Sequence, residues 1–64
     1  MKIYIEKDDK HIEETFKGKV SELLRKIGVN PETVIVVRNN ELITEEDSVK
    51  NSDTIKLISV ISGG

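Results

Sequence analysis

Apolar and polar residues alternate at the start of the chain. Over Met1–Glu6, Ile3 and Ile5 fall on one side of an extended backbone and polar residues fall on the other. This alternation predicts a half-buried β-strand. His11–Phe16 predicts a second strand, and the polar residues 7–10 between them predict a turn. The first quarter of the chain is therefore expected to form a β-hairpin.

A different spacing follows the hairpin. Val20, Leu23, Leu24 and Ile27 recur three or four positions apart, which places them on one face of an amphipathic helix. Gly28 follows the last of them and is the residue type that most often ends a helix in the left-handed conformation. The pattern predicts one helix from Val20 to Ile27.

The second half of the chain is again typical of strands. Thr33–Arg38 and Glu41–Ile43 are apolar segments on either side of Asn39-Asn40, a pair suited to a tight turn with positive φ. Val49 is expected to be a buried anchor within a polar stretch, and Thr54–Ile61 predicts the last strand.

The order of predicted elements, β-β-α-β-β-β, indicates the fold class. One helix can cover only one face of a sheet, so the other face is left to solvent. We predict an α+β roll, with a mixed sheet of four or five strands and the helix packed on one side. Nine isoleucines, seven valines and no alanine are consistent with a sheet-rich domain.

Composition excludes several functions. Sixty-four residues make a single domain, too small to enclose a substrate pocket, so we do not expect an enzyme. The chain has no cysteine and a single histidine, which argues against a structural zinc site, a disulfide or a catalytic thiol. Asp8, Asp9 and His11 are ligand types on one turn, but such residues usually only keep a turn soluble.

Charge and hydropathy limit the partners. Ten basic and twelve acidic residues leave a net charge of −2, and only two residues are aromatic, so we expect no nucleic-acid binding. The apolar runs are too short to cross a bilayer, which predicts a cytoplasmic protein, monomeric on its own. Some lysines and arginines cluster around the helix and could contact an acidic partner, although charged helix faces are common: Lys17, Lys19, Arg25 and Lys26.

Two glycines end the sequence. Gly63 and Gly64 follow the last predicted strand through Ser62 alone, so we expect a domain over 1–61 and a flexible tail over 62–64. Glycines lack Cβ atoms, and such a tail can enter a narrow slot. A terminal carboxylate is a poor acyl donor until reaction with ATP makes it an acyl-adenylate, which a sulfur nucleophile can attack. A glycine pair at a chain end can also be without any role.

The same residues resemble a known family. The motifs Val20-x-x-Leu23-Leu24 and Asp53-x-Ile55-x-Leu57-x-x-Val60-Ile61-x-Gly63-Gly64, with the element order, are similar to the ThiS/MoaD group of ubiquitin-like β-grasp sulfur carriers. The resemblance covers nearly the whole chain. Asn39-Asn40 replaces the commoner Asn-Gly turn, and Ser52 stands where glycine is frequent.

The resemblance implies a function. Gly64 would be adenylated by a ubiquitin-activating-type enzyme that uses ATP, and would become a thiocarboxylate. This chain would bind no cofactor. A downstream acceptor would take the sulfur into thiamine thiazole, molybdopterin or tRNA. The alternatives are a protein modifier joined to lysines through Gly64, and a ubiquitin-like interaction domain that is never activated.

The last strand also suggests a docking surface. Its alternation breaks after Leu57, so that Ile58 and Val60 are expected on the open face of the sheet beside the tail. Val34 and Val36 are expected to join them. We predict that Ile58 and Val60 form an apolar patch for the activating enzyme, whereas a β-bulge would turn them inward.

Overall fold

The computed structural model describes residues 1–60, which form one five-stranded sheet, one two-stranded ladder and one helix. In chain order the elements are β1 (Lys2–Ile5), β2 (Lys10–Glu13), β3 (Gly18–Lys19), α1 (Val20–Ile27), β4 (Val34–Arg38), β5 (Glu41–Ile43), β6 (Ser48–Val49) and β7 (Thr54–Ser59). Two short 3-10 turns, Glu6–Asp8 and Pro31–Thr33, lie before β2 and β4.

The main sheet has the strand order β2-β1-β7-β4-β5. β1 and β7 are parallel, and the other neighbours are antiparallel. The sheet is therefore mixed, and β7 lies at its centre. This confirms the predicted α+β roll. The boundary predicted between 61 and 62 lies outside the described residues.

The core lies between α1 and one face of the sheet. Leu23 and Leu24 of the helix pack against Ile3, Ile55 and Leu57 of the two central strands, and none of the five is more than 1% exposed. The helical stripe and the alternation of β1 and β7 thus face each other. Val49, the predicted anchor, is also buried in this core.

Both ends of α1 are satisfied by the backbone. Gly28 takes the left-handed conformation with φ of 78°, and its N–H donates to the Arg25 carbonyl at 3.2 Å. At the other end no side chain caps the helix. The N–H groups of Val20 and Ser21 donate instead to carbonyl oxygens of the β5–β6 loop, at 2.9 and 3.1 Å. The start of the helix therefore depends on a loop that is distant in sequence.

The N-terminal strand pair is shorter than expected. β2 ends at Glu13, not at Phe16. The Phe16 N–H donates to Asn51 Oδ1 at 2.7 Å, so the chain has already left β1 and turned towards the loop before β7. β3 and β6 then form a two-residue ladder that the sequence pattern did not indicate.

The turn residues adopt the expected backbone. Asn39 and Asn40 have φ of 50° and 70°, as hairpin turns with two left-handed positions require. Asn39 also accepts from the Thr54 N–H at 2.9 Å and donates to Asp53 at 3.0 Å. This side chain links the β4–β5 turn to the start of β7.

Asp53 is a buried carboxylate in the turn that precedes β7. It accepts from the Lys50 N–H at 2.9 Å and from Asn39 Nδ2 at 3.0 Å. The hydrogen bond from the Lys50 backbone, more than any other contact, lowers the pKa of Asp53 below its ordinary value, although burial opposes this. The ionised carboxylate therefore stabilises the folded protein.

Asp53→Asn is expected to lower the free energy of unfolding at pH 7 by about 1–3 kcal/mol, because a carboxamide cannot accept both bonds. A group whose pKa is lowered on folding stabilises the protein above its unfolded pKa, and this contribution is lost as pH falls through the folded pKa. The unaltered protein should therefore lose stability below about pH 4, and the variant should lose less. Urea unfolding from pH 2 to 7 measures the free energy of unfolding and its pH dependence, and Asp8→Asn, at an exposed position, is the control. An equal acid-induced loss in both variants would contradict this role.

Candidate functional site

The central strand β7 leads towards the predicted tail. After its last residue, Ser59, the Val60 N–H donates to the Thr33 carbonyl at 2.9 Å. The folded body therefore holds the chain as far as position 60. Ile61 and the predicted tail residues Ser62, Gly63 and Gly64 lie outside the described residues. Their role stays a prediction.

β7 presents different chemistry on its two faces. Ile55 and Leu57 are buried under the helix, whereas Ile58 points to the other face and is partly exposed. Pairing with β4 is continuous from Ser59 back to Ile55, so no bulge turns Ile58 inward. Val60, two residues further, is 49% exposed. The structure thus places Ile58 on the open face and leaves Val60 exposed, as expected, at the end of the described chain.

The predicted neighbours of this pair are wrong. Val36 lies opposite Leu57 and is only 5% exposed, so it belongs to the core. Val34 is partly buried and packs against the same core. Residues directly opposite each other in a strand pair share a face, and Ile35 is the residue opposite Ile58. The register of β4 with β7 therefore decides which residues of β4 lie on the open face.

Ile35 and Leu42 complete an apolar surface on the open face. Ile35 is 40% exposed, and Leu42, opposite Val37 on the edge strand β5, is 70% exposed. We call Ile35, Leu42, Ile58 and Val60 the apolar strip. Neither Ile35 nor Leu42 was predicted for this surface. For Leu42 the sequence holds a usable signal, because its alternation with buried Ile43 leaves the leucine on the exposed face of β5. Large exposed apolar groups gathered on one face are typical of interaction surfaces.

The other half of the open face is polar. The rings of Tyr4 and His11 pack in a tilted arrangement with centroids 4.6 Å apart, and Tyr4 Oη donates to Asp9 at 2.9 Å. That hydrogen bond raises the pKa of Tyr4 above its ordinary value. Lys56, between Tyr4 and the apolar strip, lies 3.7 Å from a Glu6 carboxylate oxygen. The face is thus divided into a hydrogen-bonded half and an apolar half.

The described part of the chain shows no grouping for metal chemistry. Within residues 1–60, no three acidic or histidine side chains converge as metal ligands would. Asp9 and His11, two of the ligand types on the first turn, contact Tyr4 instead. The helix among these residues is also too short and too polar to cross a membrane.

A mixed five-stranded sheet with its last strand at the centre and one helix across it defines a ubiquitin-like β-grasp domain. The sequence model of the ThiS family matches residues 2–64. The chain belongs to the ThiS family, which confirms the resemblance carried by its motifs.

Individual relatives agree with this assignment. Sulfur carrier protein TtuB from Thermus thermophilus is 46% identical over 55 residues, covering 86% of this chain and 85% of the relative. An uncharacterized protein from Archaeoglobus fulgidus is 40% identical over 58 residues, covering 89% and 85%. The solution structure of a thiamine biosynthesis protein from Geobacter metallireducens superimposes with a TM-score of 0.60 at 25% identity, covering all of this chain and 88% of that one.

Proposed function

We propose that this protein is a sulfur carrier whose Gly64 carboxylate is converted to a thiocarboxylate. The observation that carries the proposal is the family match, which extends through the terminal diglycine. The relative named as a sulfur carrier protein supports it over most of both chains. The protein acts as a carrier and not as a catalyst.

The chemistry takes place in a partner enzyme. A carboxylate oxygen of Gly64 attacks the α-phosphorus of ATP, and pyrophosphate leaves. Hydrosulfide, delivered by the partner, then attacks the carbonyl carbon of the acyl-adenylate. AMP leaves with the bonding electron pair, and a thiocarboxylate remains. The partner is an adenylyltransferase of the ubiquitin-activating type, and a downstream acceptor protein takes the sulfur.

A short segment joins the folded body to the reacting terminus. Val60 is anchored to Thr33, and four residues follow it. Four residues span at most about 13–14 Å when extended, enough to reach into an active site while the body stays outside. Gly63 and Gly64 add no side chains, and Ser62 adds a small one, so the three suit a narrow channel.

Mass spectrometry of the intact protein from its source cell tests the proposal. We expect a C-terminal peptide that is heavier by the difference between sulfur and oxygen, and an AMP adduct on incubation with ATP and the activating enzyme. A Gly-Gly remnant on lysines of other proteins, without the sulfur-bearing form, would favour a protein modifier. Finding neither would favour an interaction domain that is never activated.

The same proposal assigns a role to the apolar strip, as the docking surface for the activating enzyme. The support is its position: Ile58 and Val60 are on the strand and segment that lead to the reacting terminus. The enzyme that holds the terminus must approach within the reach of the tail. Apolar groups close to that point would be covered in the complex and would stabilise it.

Replacing both Ile58 and Val60 with serine is expected to lower kcat/KM for adenylation at least tenfold, roughly, because the complex with the enzyme would then bury less apolar surface. Steady-state pyrophosphate release measures it. His11→Ser, at the far edge of the same face, is the matched control and should leave the rate unchanged. Leu42→Ser tests the apolar strip at an exposed residue, whose replacement should leave the protein folded. Normal adenylation of folded variants would reject the docking role.

A further inference from the structure

A second candidate surface lies at the opposite end of the sheet from the tail. It is an open groove of about 470 Å³ beside the β3–β6 ladder, where β7 begins. The side chains and backbone that line it include Lys17, Gly18, Arg38, Ser48, Lys50 and Asp53. The ladder therefore brings together cations from three separate parts of the sequence.

Two of these cations adjoin the same end of the β3–β6 ladder. Gly18 lies opposite Val49 in the antiparallel ladder, so Lys17 and Lys50 extend from the same end of it. Like charges placed across a strand pair repel each other. Within residues 1–60, neither lysine has a carboxylate oxygen within 4.0 Å of its ammonium group. Both ammonium groups thus remain available for an external anion.

The acidic groups near the groove neutralise only part of its charge. Asp53 accepts from the Lys50 N–H and from Asn39 Nδ2, and the charges of Arg38 and Lys50 also help to lower its pKa. Arg38 is positioned by a hydrogen bond from Nη1 to the Ser48 carbonyl. Its other terminal nitrogen lies 3.6 Å from Glu41, which is largely exposed. Three cations, Lys17, Arg38 and Lys50, thus face two carboxylates, which leaves a small positive local charge on a protein whose net charge is −2.

The lining indicates which anion would bind. No aromatic side chain lines the groove, so it offers no platform for stacked bases. The net negative charge of the protein opposes a long polyanion, whereas a short acidic segment interacts only with the groove. Arg38 is already paired with a carboxylate of this chain, Glu41. An incoming carboxylate can replace it.

We propose that the groove formed by Lys17, Arg38 and Lys50 binds an acidic segment of a partner protein. The groove lies at the start of β7, and Thr54 to Ser59, the last residue of that strand, is about 17 Å along it. A partner can therefore hold the groove while the terminus of the same molecule is inside an active site. The two contacts are independent, and loss of one leaves the other measurable.

Titration of the labelled protein with an acetylated hexaglutamate peptide at low salt, followed by amide chemical shifts, tests this proposal. We expect shifts confined to β3, β6 and the turn at Asp53. Lys17→Gln with Lys50→Gln should weaken binding about fivefold, since exposed ion pairs are individually weak. The matched control, Lys7→Gln with Lys10→Gln, removes the same charge at the other end of the sheet and should bind normally.

A third variant tests the role of Glu41. Glu41→Gln removes the competing carboxylate and is expected to strengthen peptide binding about twofold or more. Equal weakening in the two lysine pairs, or shifts spread over all lysines, would overturn the proposal. Tighter binding of an oligouridylate than of the peptide at the same residues would also overturn it, in favour of a phosphate backbone. Binding of inorganic phosphate alone would contradict a peptide site.

Discussion

Deletion of Gly63 and Gly64 is expected to abolish adenylation and sulfur loading without unfolding the protein. The reacting carboxylate would then be that of Ser62. The tail would be two residues shorter, so this carboxylate could not reach as deep into the partner. The fold should persist, because every buried apolar residue among residues 1–60 precedes Val60. The measurements are formation of the AMP adduct by mass spectrometry and the thermal unfolding midpoint.

Two further variants identify the cause of such a loss. Ser62→Ala keeps the length and both glycines and should be adenylated normally. Gly64→Ala keeps the length and the carboxylate but adds a Cβ at the reacting residue. Adenylation should be severely slowed, because the Cβ would obstruct entry into a narrow channel. A truncated protein that is loaded or supports growth like the intact one would contradict the proposed function. The groove at the other end of the sheet would be unaffected by that result.

Leu23→Ala is expected to leave most molecules unfolded at 25 °C. Leu23 is fully buried between α1 and the sheet. Removing such a side chain costs about 2–5 kcal/mol, since a cavity remains. A single core in a domain of this size supplies only roughly 3–5 kcal/mol of net stability. Circular dichroism and urea unfolding measure the loss directly.

Leu42→Ala provides the matched control, because it removes the same atoms from a leucine that is 70% exposed. Its effect on stability should stay within about 0.5 kcal/mol. If Leu23→Ala were as mild as Leu42→Ala, the core would not lie where the structure places it. If Leu42→Ala were as severe, the apolar strip would be part of the core and not a docking surface.

Local features of the fold were predictable from local sequence. The stripe from Val20 to Ile27 predicted α1 with its bounds, and Gly28 ends it in the left-handed conformation as expected. Asn39 and Asn40 predicted the hairpin turn. In each case the responsible interactions join residues within a few positions of one another, so a short window of sequence contains the physical cause.

The candidate site was only partly predictable. The broken alternation of β7 correctly placed Ile58 and Val60, since alternation within one strand is a local property. It could not show which face of β4 lies beside them, because that depends on the register between two strands. Val36 was therefore assigned to the open face in place of Ile35. The exposed Leu42 of the edge strand was not predicted either, although the alternation of Leu42 with buried Ile43 is a local signal.

The β3–β6 ladder had no signal in the sequence. A pair of two-residue strands has no measurable periodicity, and its hydrogen bonds join positions about thirty residues apart. The groove beside it was hidden as well. In the sequence Lys17 is grouped with the cations around the helix, whereas in the structure it lines a groove with Arg38 and Lys50.

The helix, the turns, the alternation within strands and the diglycine are all apparent in short stretches of sequence, because each depends on neighbouring residues. The folded structure was needed to show that β7 lies between β1 and β4, that Ile35 and not Val36 accompanies Ile58, and that a basic groove lies at the start of β7. These features depend on pairing between distant segments. The burial of one shared core selects that pairing, and no short pattern encodes it.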